Sequence, residues 1–259
     1  MTGPAPGMIL KVIACDIARR EICHCAARSP NILDLEFLPQ GLHDTPGRGR
    51  DEVQRRVDAV PAGRYAAVLV GYGLCGGILK DLRAGATRLV IPRAHDCITF
   101  FLGSKQRYQR RFSERPGTYY FTAGWLEVPV RRGGEGPAGH GAFMPAQSAA
   151  SLERNLAEWT ARFGAEQARY LMEEMRRWAQ HYTHGTLIEF DFARPLKLDE
   201  QVRRVCAEKG WTFEQIPGDL GLLQRWLDGD WSPEEFLVVA PGQKVVPSYD
   251  AQIITAAPA

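Results

Sequence analysis

Apolar positions along this chain fall into two rhythms that take turns. Short runs of adjacent or alternate apolar residues give way to stretches in which they return every three or four positions. MILKVIAC (8–15) predicts a first strand, and Asp16 to Ala27 the helix that follows. LDLEFL (33–38) predicts a second strand, and RDEVQRRVDAV (50–60) a helix with Val53 and Val57 on one face. YAAVLVGYG (65–73) is so nearly continuous in apolar residues that it predicts a third strand buried on both sides. GGILKDLRAG (76–85) predicts a short helix closed by Gly85, the residue expected at a helix C-terminus. RLVIP (88–92) predicts the fourth strand, Ile98 to Glu114 its helix, and GTYYFT (117–122) the fifth strand.

The alternation then breaks. RRGGEGPAGHGAFMPAQS (131–148) is rich in glycine and proline and predicts a loop. Beyond it Leu152, Leu156, Trp159 and Phe163, then Leu171, Met175 and Trp178, recur at helical spacing and predict core-facing residues. The alternation resumes with TLIEFDF (186–192), LDEQVRRVCAEKG (198–210), WTFEQIP (211–217), GDLGLLQRWLDG (218–229) and EFLVVAP (235–241). Repeated strand–helix units predict an α/β fold, with a mostly parallel, Rossmann-like sheet, flanking helices and a helical insertion. The expected organisation is a disordered lead (1–7), a first α/β half (8–130), the Gly/Pro-rich loop (131–148), a helical bridge (149–182) and a second α/β half (183–259).

Composition narrows the function classes. The 259 residues are 45% hydrophobic and 24% charged, as in ordinary globular proteins, and the net charge of +2 is too small to argue for nucleic acid. No apolar run reaches the length of a membrane span. MTGPAPG lacks the basic and apolar regions of a signal peptide, so six cysteines without a secretion signal predict a reducing, cytoplasmic setting. There, clustered thiols serve metals, catalysis or packing.

The cysteines supply the chief chemical signal. Cys15 ends the first strand, Cys75 follows the third inside GYGLCGG (71–77), and Cys97 follows the fourth inside VIPRAHDC (90–97). Ligands of open parallel sheets bind outside the carboxyl ends of the strands. If these strands are neighbours, the three thiols meet at one edge, and the helix N-termini expected after them would favour thiolate. Thiolates suit zinc with an open fourth position, or an iron–sulfur cluster with one iron free; the sequence leaves that choice open. Packing is the ordinary role of any one of these cysteines. His95 is expected as a fourth ligand or proton shuttle, with Asp96 orienting it. Gly73, Gly76 and Gly77 are expected to let a cofactor approach the backbone, although GYGLCGG lacks the full dinucleotide-binding spacing.

Other candidates are weaker. Cys23-His24-Cys25 falls within a helix, where residues two apart point to different faces, so packing is the expected role. His181, His184, Glu189 and Asp191 cluster around the TLIEFDF strand, and Asp191 is the best acid–base candidate among them. Tyr119, Tyr120 and Trp125 could wall a pocket, though strand packing is the simpler role. Asp219 is expected to cap a helix.

IACDIARREI, GYGLCGG, IPRAHDCITFFLGSKQRY, PGTYYFTAGWLE, HYTHGTLIEFDF and FLVVAPG together resemble a prokaryotic domain-of-unknown-function family. Members of that family often sit beside corrinoid-dependent methyltransferase genes. The resemblance therefore implies a link to one-carbon metabolism, with a small-molecule substrate or corrinoid-methyltransferase components as partners. Residues and resemblance leave three functions in play. The first is a metal-dependent enzyme whose centre is held by Cys15, Cys75 and Cys97. The second is a metal or corrinoid carrier or assembly factor, although the chain lacks the Asp-x-His-x-x-Gly element of a cobalt-ligating corrinoid domain. The third is a metal-free thiol enzyme with Cys97 as nucleophile and His95 as base.

Overall fold

The computed structural model describes residues 7–44, 46–131, 156–157, 159–161, 164–179 and 181–259. The chain divides into two units, one formed by Met1–Arg110 with Gly218–Ala259 and the other by Arg111–Pro217. These boundaries fall elsewhere than the expected halves, because the end of the chain returns to the first sheet.

In the first unit β1 (Ile9–Cys15) lies between β2 (Ile32–Leu38) and β3 (Ala67–Gly71), parallel to both, and β4 (Leu89–Pro92) extends the sheet in parallel beyond β3. The three strands whose ends carry Cys15, Cys75 and Cys97 are therefore adjacent. β8 (Phe236–Val239) completes the order β2-β1-β3-β4-β8 and runs antiparallel to β4. The fold is thus α/β with a mostly parallel sheet. Val12, Ile13 and Ala14 are all fully buried. Successive strand residues point to opposite faces, so both faces of β1 are covered.

The flanking helices are α1 (Arg19–Ala26), α2 (Pro46–Asp58) and α8 (Gly221–Asp228), numbered in chain order. α1 buries Ile22 and Cys25, α2 buries Val53 and Val57, and α8 buries Leu222, Leu223, Trp226 and Leu227. These spacings of three and four are the apolar stripes read from the sequence. The Trp226 indole N–H donates to Val90 O at 3.1 Å, which fixes α8 against β4. A hairpin that the sequence pattern did not predict, β9 (Gln243–Pro247) with β10 (Ile254–Pro258), closes the unit.

Two expected helices differ. Residues 76–85 form no α-helix: a 3-10 turn at Cys75–Gly77 gives way to turns, because Cys75, Gly76, Gly77 and Asp81 all have positive φ. The helix expected over 98–114 is two, α3 (Ile98–Leu102) and α4 (Lys105–Glu114), parted by Gly103 at φ +78°.

The second unit contains the parallel sheet β5-β6-β7, from β5 (Thr118–Phe121), β6 (His184–Glu189) and β7 (Thr212–Pro217). α5 (Ala123–Arg131) follows β5, and α7 (Leu198–Lys209) joins β6 to β7 across a 3-10 segment at Asp191–Leu196. α7 buries Leu198, Val202 and Cys206, one turn apart, and ends at left-handed Gly210. α6 (Ala165–Ala179) belongs to the expected helical bridge and buries Ala168 and Met172, again one turn apart. The expected loop from 132 onward, Leu152, Phe163, and the side chains of Leu171, Met175 and Trp178 lie outside the described residues.

Candidate functional site

The carboxyl edge of the first sheet is built by close backbone packing. Beyond β3 the chain keeps pairing with the segment after β4: Leu74 N–H donates to Ala94 O and Cys75 N–H to His95 O, both at 2.8 Å. Gly73 is required here, since a Cβ on it would stand 2.7 Å from Asp96 Cα. Gly71 has the same need, because its Cβ would meet the side chains of Ala14 and Trp226 at 2.6 and 2.9 Å. Cys75 itself adopts φ +33°, a region that non-glycine residues occupy only when their surroundings impose it. Gly76 and Gly77, at φ +65° and +99°, continue the bend. The glycines first assigned to a cofactor thus have backbone reasons of their own to be glycine.

The three strand-end thiols come together electrostatically. Cys15 is buried; Cys75 and Cys97 are half-buried residues. The Cys75 thiol is pushed up to about 12, by burial first and then by the charges of Asp96 and Cys15, against the pull of backbone hydrogen bonds from Cys97 and Gly73. The Cys97 thiol is raised well above its usual range by burial, then by the charges of Cys75, Asp96 and Cys15. Cys15, Cys75 and Cys97 thus follow three adjacent strands, and the first two bear on the third. The expectation that helix N-termini would favour thiolate does not hold at Cys75 and Cys97: Cys75 leads into a 3-10 turn, Cys97 into a five-residue helix, and burial dominates both. Among the described residues, no group of three or more His, Cys, Asp or Glu side chains is placed so as to hold a metal ion.

Asp96 anchors the loop after β4. Its carboxylate accepts the Ile98 amide at 2.9 Å and the Tyr108 hydroxyl at 2.8 Å. Burial raises its pKa against the pull of these bonds and of His95. His95 is an exposed residue whose ring centroid lies 6.3 Å from that of Tyr108. Its carbonyl, through Cys75, is what the loop itself uses.

Tyr108 and Tyr72 were not singled out from the sequence. Tyr108 lies within the helical pattern of 98–114, where only its place one face-turn beyond the loop would have marked it. Tyr72 is 3% exposed, and its hydroxyl has no hydrogen-bond partner among the described residues. Burial raises its pKa well above the ordinary phenol range, followed by the charges of Cys15, Cys75, Glu52 and Asp16.

The remaining candidates sit elsewhere. Cys23 is exposed and Cys25 buried, as residues two apart on α1 should be; burial raises the Cys25 thiol to about 12. Cys206 is buried with its thiol donating to Gly185 O at 3.8 Å. Asp191 belongs to the second unit, where its exposed carboxylate pairs with Arg194 at 2.8 Å; Glu189 pairs with the same arginine and with Gln215. His184 Nδ1 is 2.8 Å from Thr183 Oγ1. Tyr119 and Trp125 belong to an aromatic core with Tyr182 and Trp211, tied by the Trp125 indole donating to Tyr119 at 2.8 Å, which is packing. Asp219 accepts the Gly221 amide at 2.7 Å just before α8, whose N-cap position is held by Leu220 and not by the expected Asp219.

Fold and site define an α/β protein with a thiol-bearing carboxyl edge on a mostly parallel sheet. Residues 37–227 match a family described as "Protein of unknown function (DUF1638)", and the chain belongs to that family. No curated protein and no solved structure matches it. Among the described residues, no helix is long and apolar enough to cross a membrane.

Proposed function

We propose that the chain is a metal-dependent enzyme whose centre is held by Cys15, Cys75 and Cys97, serving one-carbon or thiol chemistry. The observation that carries this reading is the gathering, from three adjacent strand ends, of three thiols whose charges bear on one another and on Asp96. Desolvated thiols beside carboxylates repel one another when ionised, and a bound cation is what offsets that repulsion. The donor chemistry suits zinc or an iron–sulfur cluster. The side chains as placed are not yet a ligand set, so loading needs the thiols to turn about χ1.

When bound, such a centre supplies an open coordination position that polarises a substrate or activates a thiol. The chain's own residues do the rest. Gly73 and Cys97 aim backbone hydrogen bonds at the Cys75 sulfur. Tyr108 and the Ile98 amide hold Asp96 in place, and Asp96 keeps the loop that carries Cys97. His95, exposed at the same loop, is available to move a proton between this edge and solvent. The raised thiols count against a metal-free thiol enzyme, since a nucleophilic cysteine needs a lowered pKa. We take the sheet as Rossmann-like, with binding at its carboxyl edge, the setting as cytoplasmic, and the partners as a small substrate or methyltransferase components.

Anaerobic purification with metal analysis and an absorption spectrum tests the reading. Stoichiometric zinc in a colourless protein, or visible sulfur-to-iron absorption, is the expected result. Protein without metal, and unable to take up zinc or a cluster, would end it.

A further inference from the structure

Residues 81–84 form one wall of a cavity that shares no residue with the thiol edge. They run antiparallel along β9: Asp81 N–H donates to Val245 O at 2.9 Å, Val245 N–H to Leu82 O at 2.8 Å and Ala84 N–H to Gln243 O at 3.0 Å. Gln54 of α2 holds the same segment from the other side. Its amide accepts Arg83 N–H at 2.8 Å and donates to Arg83 O at 3.2 Å. Asp81 adopts φ +62° here, a conformation that its surroundings impose.

The cavity has a volume of about 750 Å³, within the range of small-molecule sites. Arg50, Asp51 and Asp58 of α2 line it on one side, and Asp81, Arg83 and Lys244 on the other. Cations and carboxylates are equal in number, so the lining as a whole favours neither a simple anion nor a simple cation. Four of the charges are matched inside the pocket: Lys244 with Asp81 at 3.0 Å, and Arg50 with Asp51 at 2.7 Å. The other two are not. Among the described residues, the Asp58 carboxylate takes only the Gln54 amide, at 2.8 Å, and the Arg83 guanidinium has no hydrogen bond or ion pair. The Gln54 amide nitrogen donates both to Asp58 and to the Arg83 backbone, so these two residues are neighbours, yet their charges do not pair.

We propose that this pocket binds a small amino carboxylate zwitterion, its carboxylate on Arg83 and its ammonium on Asp58. A guanidinium and a carboxylate form a bidentate pair. Arg50 can join it, because its exposed pair with the adjacent Asp51 is weak. A ligand carrying both charges satisfies both unmatched groups with one molecule, whereas a plain anion is opposed by Asp58 and a plain cation by Arg83. The backbone bonds along β9 and to Gln54 fix Arg83 in advance, which lowers the cost of ordering the site.

Calorimetric titration of the full chain with glycine, β-alanine, γ-aminobutyrate and ε-aminocaproate varies the distance between the two ligand charges; acetate and ethylammonium carry one charge each. At least one amino acid should bind saturably, about tenfold or more tightly than either single-charge probe. Arg83→Gln and Asp58→Asn, both at exposed positions, should melt with wild type and each weaken that binding about tenfold or more. Arg55→Gln, on the same helix but outside the pocket, should leave it unchanged. Acetate or ethylammonium binding as tightly as the amino acids would make this a site for one charge only and overturn the proposal. Binding indifferent to both pocket substitutions, or no saturable heat from any probe up to about 10 mM, would overturn it as well. None of these outcomes depends on metal at the thiol edge.

Discussion

In the unit 111–217, the ionisable group at the sheet is answered from several sides. Glu214 on β7 takes Arg111, Arg115 at 2.9 Å and the Thr186 hydroxyl at 3.0 Å. Burial pushes its pKa up, but those partners outweigh it and hold the carboxyl below its usual 4.5. Cys206 in the same unit is a packing thiol against Gly185. At the carboxyl edge of β1, β3 and β4 the balance is reversed. The Cys75 and Cys97 thiols and Asp96 are all raised by burial, and the Tyr72 hydroxyl has no hydrogen-bond partner among the described residues. Partners outweigh burial at Glu214, and burial outweighs them at Cys75, Cys97 and Asp96.

That contrast can be broken at either end. The largest stability loss is expected from Arg111→Ala, which strips Glu214 of its closest cation and should cost about 2–3 kcal/mol in denaturant unfolding at neutral pH. A much smaller loss would mean that Glu214 is not structurally committed. Gly73→Ala comes next. Its Cβ would press on the Asp96 backbone, which cannot rotate away, so a loss of about 1–3 kcal/mol is expected together with reduced metal content. An unchanged unfolding midpoint would show that the two loops are less tightly apposed than the structure has them.

A pH series sharpens the first side. Glu214 has a depressed folded-state pKa, so its stabilising contribution is complete above about 4.5 and is lost as pH falls through the lower folded value. Glu214→Gln should flatten the acid limb of the stability curve below about pH 4.5, with little change in its shape above. The smallest effect separates two phenols. Tyr65→Phe removes a made hydrogen bond to Asp34 and should cost about 1 kcal/mol, whereas Tyr72→Phe in the metal-free protein should cost nothing or stabilise.

The strands of the first sheet were legible because VIAC, AVLVG and LVIP are apolar without relief, and such runs mark buried strands whatever their neighbours. Their adjacency, which sets Cys15, Cys75 and Cys97 after neighbouring strands, followed from the common orders of α/β sheets. What escaped the pattern was backbone detail. Ile78, Leu79 and Leu82 have a helical spacing, yet the positive φ of Cys75 and Asp81 turns that stretch away from a helix, and nothing in either side chain announces it. FLVV carries no sign of strand direction, so the antiparallel β8 and the return of the chain to the first sheet were invisible. Tyr72 read as the last apolar residue of a strand, and nothing in the pattern announces that its hydroxyl is buried. Asp191 drew attention by lying at a strand end, but its carboxylate is exposed and paired with Arg194.

The comparison between the two kinds of cysteine bears most directly on the central claim. Cys75→Ser and Cys206→Ser, purified anaerobically beside wild type, differ only in which thiol is removed. Metal per chain, measured on each, should fall sharply for Cys75→Ser and stay at the wild-type level for Cys206→Ser. Equal metal content in all three proteins, or a loss confined to Cys206→Ser, would contradict a centre at the carboxyl edge of the first sheet.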